Sequence, residues 1–439
     1  MTSDTLTVRN KPQFGRQMKK EFLLAERFQN LNHGSFGTHP RAIQSVWRGF
    51  QDELEARPDY FIRWTSPRLM DESRAAAAKL LKADVNTLVL VPNATMGVNT
   101  ILRNLEFQPG DKILYFEPIY PACGNTVEYI ASTTPAEGLK IEFSYPVEDD
   151  WLVDAFRKVV KKEKERGNRV KIAIFDTVGS MPGVRMPFEE LTKACHDLGV
   201  LSLVDAAHCI GAIEVDLKKL DPDFFVTNVH KWLMIPRACA VLHVALRNQA
   251  LHRSTLPTSR PLPTSLHITN SEWVNAFHFV GTQDYTPYYC IPAAVKWRES
   301  IGGEKAIMSY CENLAKDAGK AAAEILGTEI MDNSTETMTK CPMSNTRLPL
   351  SYEEISALAV ARGMEKEKVA ITVVYWISQV LVDKYDTFMA ILFHGGSWWV
   401  RWSGQIYLEL ADFEWGANVL KELCVRVQKG DFIAPSSKL

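Results

Sequence analysis

Three short stretches carry side chains with the right types and spacing to do chemistry together. Lys231 stands in Val229-His230-Lys231-Trp232, directly after the apolar run Phe224–Asn228. Asp205 follows another apolar run, Val200–Val204, and His208 comes one helical turn later. Pro92-Asn93-Ala94-Thr95-Met96-Gly97 follows a third run, Thr87–Val91. Each has a plain reading and a chemical one. Lys231 is either a surface lysine past a buried strand or a desolvated amine, whose lowered pKa suits it to attack a carbonyl carbon. Asp205 is either an N-cap or a carboxylate facing a cation, because burying a carboxylate without one is costly. The Pro92–Gly97 turn is either an ordinary cap or an anion seat made of backbone N–H groups at a helix start.

The elements that must position these groups are strands. Thr87–Val91, Lys112–Phe116, Lys171–Phe175, Val200–Val204, Phe224–Asn228 and Cys239–Val244 are short and nearly all apolar, as strands covered on both faces are. Helical patterns at Met96–Glu106, Trp151–Lys164 and Phe188–Leu198 lie between them. That rhythm predicts an α/β fold with a doubly wound, mostly parallel sheet. From about residue 300 the rhythm changes. A helix over Glu304–Leu326, strand-like runs at Thr346–Leu350, Phe388–Phe393 and Trp398–Ser403, and a closing helix over Ala417–Val427 predict a smaller α+β domain. The expected organisation is a segment 1–45, a large domain 46–299, a small domain 300–436 and a tail 437–439.

Ligands of open α/β sheets collect outside the carboxyl ends of the strands. Three strand ends here offer an anion seat, a carboxylate and an amine. Pyridoxal phosphate (PLP) asks for those parts: a phosphate anchor, an acid at the ring nitrogen and an amine for the aldehyde. Taken together they favour the chemical reading over the plain one.

Composition narrows the rest. The chain has 439 residues, 46% hydrophobic and 23% charged, with a formal net charge of −2, so neither disorder nor a nucleic-acid-binding field is expected. No run has the apolar length of a membrane span, and the first twenty residues lack the apolar core of a secretory leader. The eight cysteines show no metal-ligand spacing and no disulfide framework, which fits a reduced, intracellular protein. The last three residues, Ser437-Lys438-Leu439, have the form of a receptor-read peroxisomal address.

Seven blocks in order, Leu31–Pro40, Pro92–Thr100, Asp176–Leu191, Val204–Leu217, Asn228–Arg237, Phe279–Pro287 and Trp398–Trp415, resemble the class V aminotransferase family of fold-type I PLP enzymes. Within it they are most similar to the isopenicillin-N-epimerase-like group. The resemblance implies a large domain with a sheet of the seven-stranded type. It implies Lys231 as the lysine that holds the cofactor and moves the Cα proton, Asp205 at the ring nitrogen and His208 near the ring hydroxyl. It places Ala94, Thr95, Asn228 and His230 at the phosphate and Tyr120 stacked on the ring. Gly281 and Thr282 would reach the phosphate of a neighbouring subunit, which implies a homodimer with shared sites. Arg401 would grip the substrate carboxylate, with Asn32, His33 and Gly34 closing over the substrate.

After loss of the Cα proton such enzymes diverge to transamination, racemisation, β-elimination or carbon–carbon bond formation. Persulfide chemistry is disfavoured, because no cysteine lies between Cys341 and Cys424 on the approach to Arg401. Gly179 also stands where desulfurase-like relatives place a polar side chain. The expectation is an intramolecular Mannich-type ring closure of an amino acid in alkaloid metabolism. Trp398, Trp399 and Trp402 would then form an aromatic wall for a bulky or cationic substrate, unless they are core packing. The alternative is a cysteine-conjugate (sulfoxide) C–S lyase, with epimerase and aminotransferase chemistry behind it.

Overall fold

The structure, a computed structural model, describes residues 14–251 and 270–433. Ser437, Lys438 and Leu439 lie outside the described residues. The strands in chain order are β1 (Gln29–Asn30), β2 (Leu88–Val91), β3 (Asp111–Glu117), β4 (Glu137–Glu142), β5 (Arg169–Asp176) and β6 (Leu201–Asp205). They continue with β7 (Phe224–Asn228), β8 (Ala240–Val244), β9 (Met343–Arg347), β10 (Thr387–Phe388), β11 (Ala390–His394) and β12 (Ser397–Ser403).

Seven strands form one sheet in the order β2-β8-β7-β6-β5-β3-β4. Only β8 runs against its neighbours, β2 and β7. Every residue of β2, β7 and β8 is buried, which is why those strands read as unbroken apolar runs. Sequence patterning misses β4, an edge strand in which only Ile141 is buried, because an edge exposed on one side carries no continuous apolar signal. Helices Ala94–Asn104, Asp149–Glu165 and Phe188–Leu198 cross between strands as the alternation requires.

The C-terminal part holds a three-stranded antiparallel sheet, β11-β12-β9. It packs under the helices Gly303–Leu326, Lys366–Tyr385 and Leu410–Lys429 around a second apolar core. The chain's beginning joins that core: Phe22 and Leu31 are buried in it, and β1 pairs in parallel with β10. Among the described residues no helix is long and apolar enough to cross a membrane.

The expected tryptophan wall needs correction. Along β12 the side chains alternate, so Trp398, Val400 and Trp402 face the C-terminal core while Trp399 and Arg401 face the other way. Trp398 and Trp402 are fully buried and donate to the Ala370 carbonyl and the Thr346 hydroxyl. Trp399 packs with Tyr145, Val184 and Leu392 and donates to the His394 carbonyl. All three are packing residues.

Candidate active site

Each candidate group sits where a strand of the large sheet ends. Asp205 is the last residue of β6, and its backbone pairs in register with Asp176, the last residue of β5. Lys231 lies in a short helix, Val229–Trp232, directly after β7. The turn after β2 opens the helix Ala94–Asn104, with Asn93 capping it by accepting from the Met96 N–H at 2.9 Å. The plain reading of that turn is therefore correct for Asn93, and it coexists with an anion seat. Ala94 donates its N–H to the Asn228 side-chain oxygen at 2.9 Å, which ties the helix start to the end of β7. The Thr95 N–H and hydroxyl keep no protein acceptor among the described residues.

Lys231 is buried, with 9% of its surface exposed, so the surface-lysine reading fails. Its Nζ lies 2.9 Å from His208 Nε2, and the Trp232 indole N–H donates to His208 Nδ1 at 3.1 Å. An imidazole that accepts at Nδ1 carries its proton at Nε2. The Nε2–H must then point at Lys231, and only an uncharged amine has a lone pair to receive it. Electrostatics push in the same direction but less far: burial, and then the Arg401 charge, lower Lys231 to about 8 against the pull of Asp205 and Asp176. The free base is thus within reach near neutral pH, while the ammonium form still predominates at pH 7. Burial, followed by Lys231, holds His208 well below its ordinary value, so the ring is neutral.

Asp205 accepts the Ala207 N–H at 3.0 Å on one oxygen and the Cys123 thiol at 3.2 Å on the other. Burial pushes Asp205 up, and burial together with Asp205 pushes the half-buried Asp176 further. Asp176 is a neighbour of the site that strand-end inspection passed over, although it directly follows the predicted strand Lys171–Phe175 and is acidic.

Arg401 is 1% exposed and all its partners are neutral. One guanidinium nitrogen donates to the Ser180 carbonyl at 2.6 Å, and the other to Asn32 Oδ1 at 2.6 Å and the Ser35 hydroxyl at 2.8 Å. Its Nε is buried without a partner. Burial lowers it only to about 10, so it is a cation at neutral pH. Gly183 permits this placement, because a Cβ there would come within 2.7 Å of Arg401 Cδ.

The remaining expected residues divide. His33 is a strut: its Nε2 donates to the Lys231 carbonyl at 2.8 Å and its Nδ1 accepts from the Tyr407 hydroxyl at 3.0 Å. Gly34 donates to Ser403 at 3.3 Å. His230 donates from Nδ1 to the Cys239 carbonyl at 3.2 Å, which leaves Nε2 unprotonated. Burial holds His230 at about 4, so it needs a proton from solvent before it can donate to a phosphate. Tyr120 sits at the start of the helix Pro121–Thr133 and is 46% exposed. Gly281 and Thr282 stand apart from the Lys231 cluster. Thr282 lines a separate cavity of about 1300 Å³ with Trp64, Phe279 and Tyr289.

Sequence reading also missed Arg298. It is fully buried, donates to the carbonyls of Trp232 at 2.8 Å and Gly211 at 3.1 Å, and pairs with Glu304 at 2.5 Å. One guanidinium thereby ties the loops after β6 and β7 to the long helix Gly303–Leu326. Nothing in its local sequence signals that role.

The buried groups fit PLP on their own terms. Lys231 presents a buried amine of lowered pKa, Asp205 a carboxylate whose hydrogen-bond partners are neutral, and the Ala94–Asn104 helix a start with an unused N–H. Residues 57–373 match the family described as aminotransferase class-V. The chain belongs to that family. The class-V chain is 36% identical to the L-cysteine desulfhydrase-like protein lolT1 of Epichloe uncinata, over 94% of this chain and 96% of that one. It is 30% identical to the hercynylcysteine sulfoxide lyase of Schizosaccharomyces pombe, over 94% and 98%. Among solved structures it superposes on a C-DES variant with glycine covalently linked to its PLP cofactor, with TM-score 0.73, 15% identity and coverage of 92% and 99%. It also superposes on a cysteine desulfurase of Thermococcus onnurineus, with TM-score 0.71, 18% identity and coverage of 94% and 98%. The fold is that of fold-type I PLP enzymes, and the protein is a PLP-dependent enzyme acting on an amino acid.

Proposed function

We propose that this class-V enzyme is a cysteine-conjugate C–S lyase, which removes the Cα proton of an S-substituted cysteine and expels the sulfur group from Cβ. The observation that carries the amino-acid reading is Arg401, a buried cation whose protein partners are all neutral. A substrate carboxylate supplies the missing charge, and the planar guanidinium suits bidentate contact with it.

Bound PLP supplies an electron sink for charge that develops at Cα. Everything else falls to the chain. Lys231 presents an amine of lowered pKa, oriented through His208 by Trp232, whose free base can hold the cofactor and afterwards accept the Cα proton. Asp205 would pair with the ring nitrogen. Thr95, the Ala94–Asn104 helix start and His230 would hold the phosphate, while Asn228 braces that helix start. Asn32 and Ser35 carry the N-terminal segment onto Arg401 and close the site against water.

Two observations favour elimination over its competitors. All eight cysteines are buried, and burial holds Cys341, in the small domain that carries Arg401, at about 12, so that thiol lacks the thiolate that sulfur transfer requires. Ring closure of a cationic substrate loses the tryptophan wall that would have suited it. Two full-length relatives carry names in sulfur-amino-acid chemistry. The test is pyruvate release from an S-alkyl cysteine sulfoxide. Absence of pyruvate, with conversion of an amino acid bearing a tethered iminium precursor into a cyclic product, would replace elimination by ring closure.

The same reading includes a homodimer. The cavity beside Thr282 is rimmed by exposed Ile62 and Trp64, which a second copy would cover while Gly281 and Thr282 reach the partner's phosphate seat. Sedimentation of the holoenzyme tests this. A monomer that retains PLP would overturn it.

A further inference from the structure

Cys123 belongs to none of the roles above, yet it touches the site. It lies in the first turn of the helix Pro121–Thr133, 1% exposed, with its N–H on the Tyr120 carbonyl at 2.9 Å. Its thiol meets Asp205 Oδ2 at 3.2 Å, across 82 residues of sequence. Most of its other surroundings are apolar, among them Val127 and Ile174. A buried thiol in such a place is ordinarily a small hydrophobe. Here it has a carboxylate to point at.

The arrangement around Asp205 gives that contact a consequence. The other carboxylate oxygen is held by the Ala207 N–H at 3.0 Å, from the same strand end. Asp176, the register partner of Asp205 on β5, is itself pushed up by burial and then by the Asp205 charge, so Asp205 is the carboxylate that ionises first, while Lys231 favours that ionisation when protonated. The His208 contact favours the uncharged form of Lys231, which becomes the main one above about pH 8. The Cys123 thiol and the Ala207 amide favour the carboxylate form ahead of the Lys231 charge, and these two donors, one on each oxygen, fix its plane.

We propose that Cys123 is a positioning residue for Asp205: its thiol hydrogen orients the carboxylate and keeps it ionised, so that it pairs with the protonated ring nitrogen of the cofactor. This rests on the PLP reading of the site. Serine is a stronger donor of nearly the same shape, alanine removes the donor, and valine removes it while filling the volume.

Two measurements decide it. The first uses the apoprotein and needs no cofactor. The infrared S–H stretch of Cys123, assigned by its loss in Cys123→Ala, is expected to move to higher frequency in Asp205→Ala. An unmoved band would remove the thiol–carboxylate contact. The second uses the holoenzyme. Without the thiol donor a more basic Asp205 draws the ring proton toward itself, so the pH midpoint of the visible cofactor band is expected to rise by about half a unit in Cys123→Ala and Cys123→Val. PLP affinity is expected to fall roughly fivefold, the scale of one hydrogen bond. Cys123→Ser is expected to restore both. If alanine, valine and serine variants all share the wild-type midpoint, or all shift alike, Cys123 only fills space. If the wild type forms no visible band with PLP, the cofactor reading fails, and the infrared result still decides the contact.

Discussion

The indole N–H of Trp232 reaches His208 Nδ1 at 3.1 Å, and the opposite nitrogen of that ring lies 2.9 Å from Lys231 Nζ. Trp232 thus sets the protonation state of the residue before it in sequence, by way of a ring 24 positions away. The indole can only donate, so Nδ1 can only accept, and the Nε2–H favours Lys231 as the free base. Trp232→Phe keeps the packing and removes the donor. The ring then takes either tautomer, and the Lys231 ammonium gains an acceptor at His208 Nε2. The apparent pKa for PLP attachment is expected to rise, with the rate at neutral pH falling roughly fivefold for about 1 kcal/mol of lost hydrogen bonding. Attachment kinetics across pH check this; an unchanged profile would show that the tautomer does not matter.

Lys231 costs the apoprotein stability, and the pH at which it does so follows from its shift. Burial takes its pKa from the ordinary 10.5 to about 8. The unfolded chain therefore binds more protons than the folded one between those values, so stability rises with pH across that window. Below about pH 8 the full penalty applies, on the order of 3 kcal/mol. Lys231→Met is expected to melt higher than the wild-type apoprotein at pH 7, with the gap closing by pH 10, while activity is abolished. Equal melting curves at both pH values would show that the amine is not desolvated.

Gly183 is expected to act on the substrate without touching it. A methyl group there would sit 2.7 Å from Arg401 Cδ and 3.0 Å from Met343 Cβ. Gly183→Ala should displace the guanidinium, so that KM for the amino acid rises about tenfold while kcat holds, the pattern of lost ground-state binding. An equal fall in kcat would instead place the damage at the reacting atoms.

The parts of this site that were legible in the sequence are those that strand ends announce. Asp205 and Lys231 each follow an unbroken apolar run, and burial on both faces is what makes such runs visible. Arg298, Cys123 and the Ser35 and Ser180 contacts of Arg401 were not legible, because each acts across tens to hundreds of residues and its neighbours in sequence say nothing about that contact; Asn32 came only with the family resemblance. The tryptophans of β12 are different. Their alternation with Arg401 was readable: a period of two places residues 398 and 402 on the face opposite 401. Proximity in sequence was given weight that belonged to periodicity.

Asn32 offers the sharpest test of Arg401, because it already occupies part of the guanidinium that a substrate would use. Its Oδ1 accepts from Arg401 Nη2 at 2.6 Å, and the residue is 8% exposed. Asn32→Asp changes one atom and places a carboxylate against a buried cation whose protein partners are neutral. The new pair should raise the melting temperature of the apoprotein, since Arg401 gains the counter-charge it lacks. The same pair competes with the substrate carboxylate, so KM is expected to rise roughly 10- to 100-fold, the scale of a hydrogen bond to a charged group. Arg401→Lys, which keeps the charge and loses the fork, should raise KM without the gain in stability. If Asn32→Asp melts higher and KM stays at the wild-type value, the substrate carboxylate binds elsewhere and Arg401 is a structural cation. If it melts lower, the guanidinium is not short of charge, and the argument that an anionic substrate completes this site fails with it.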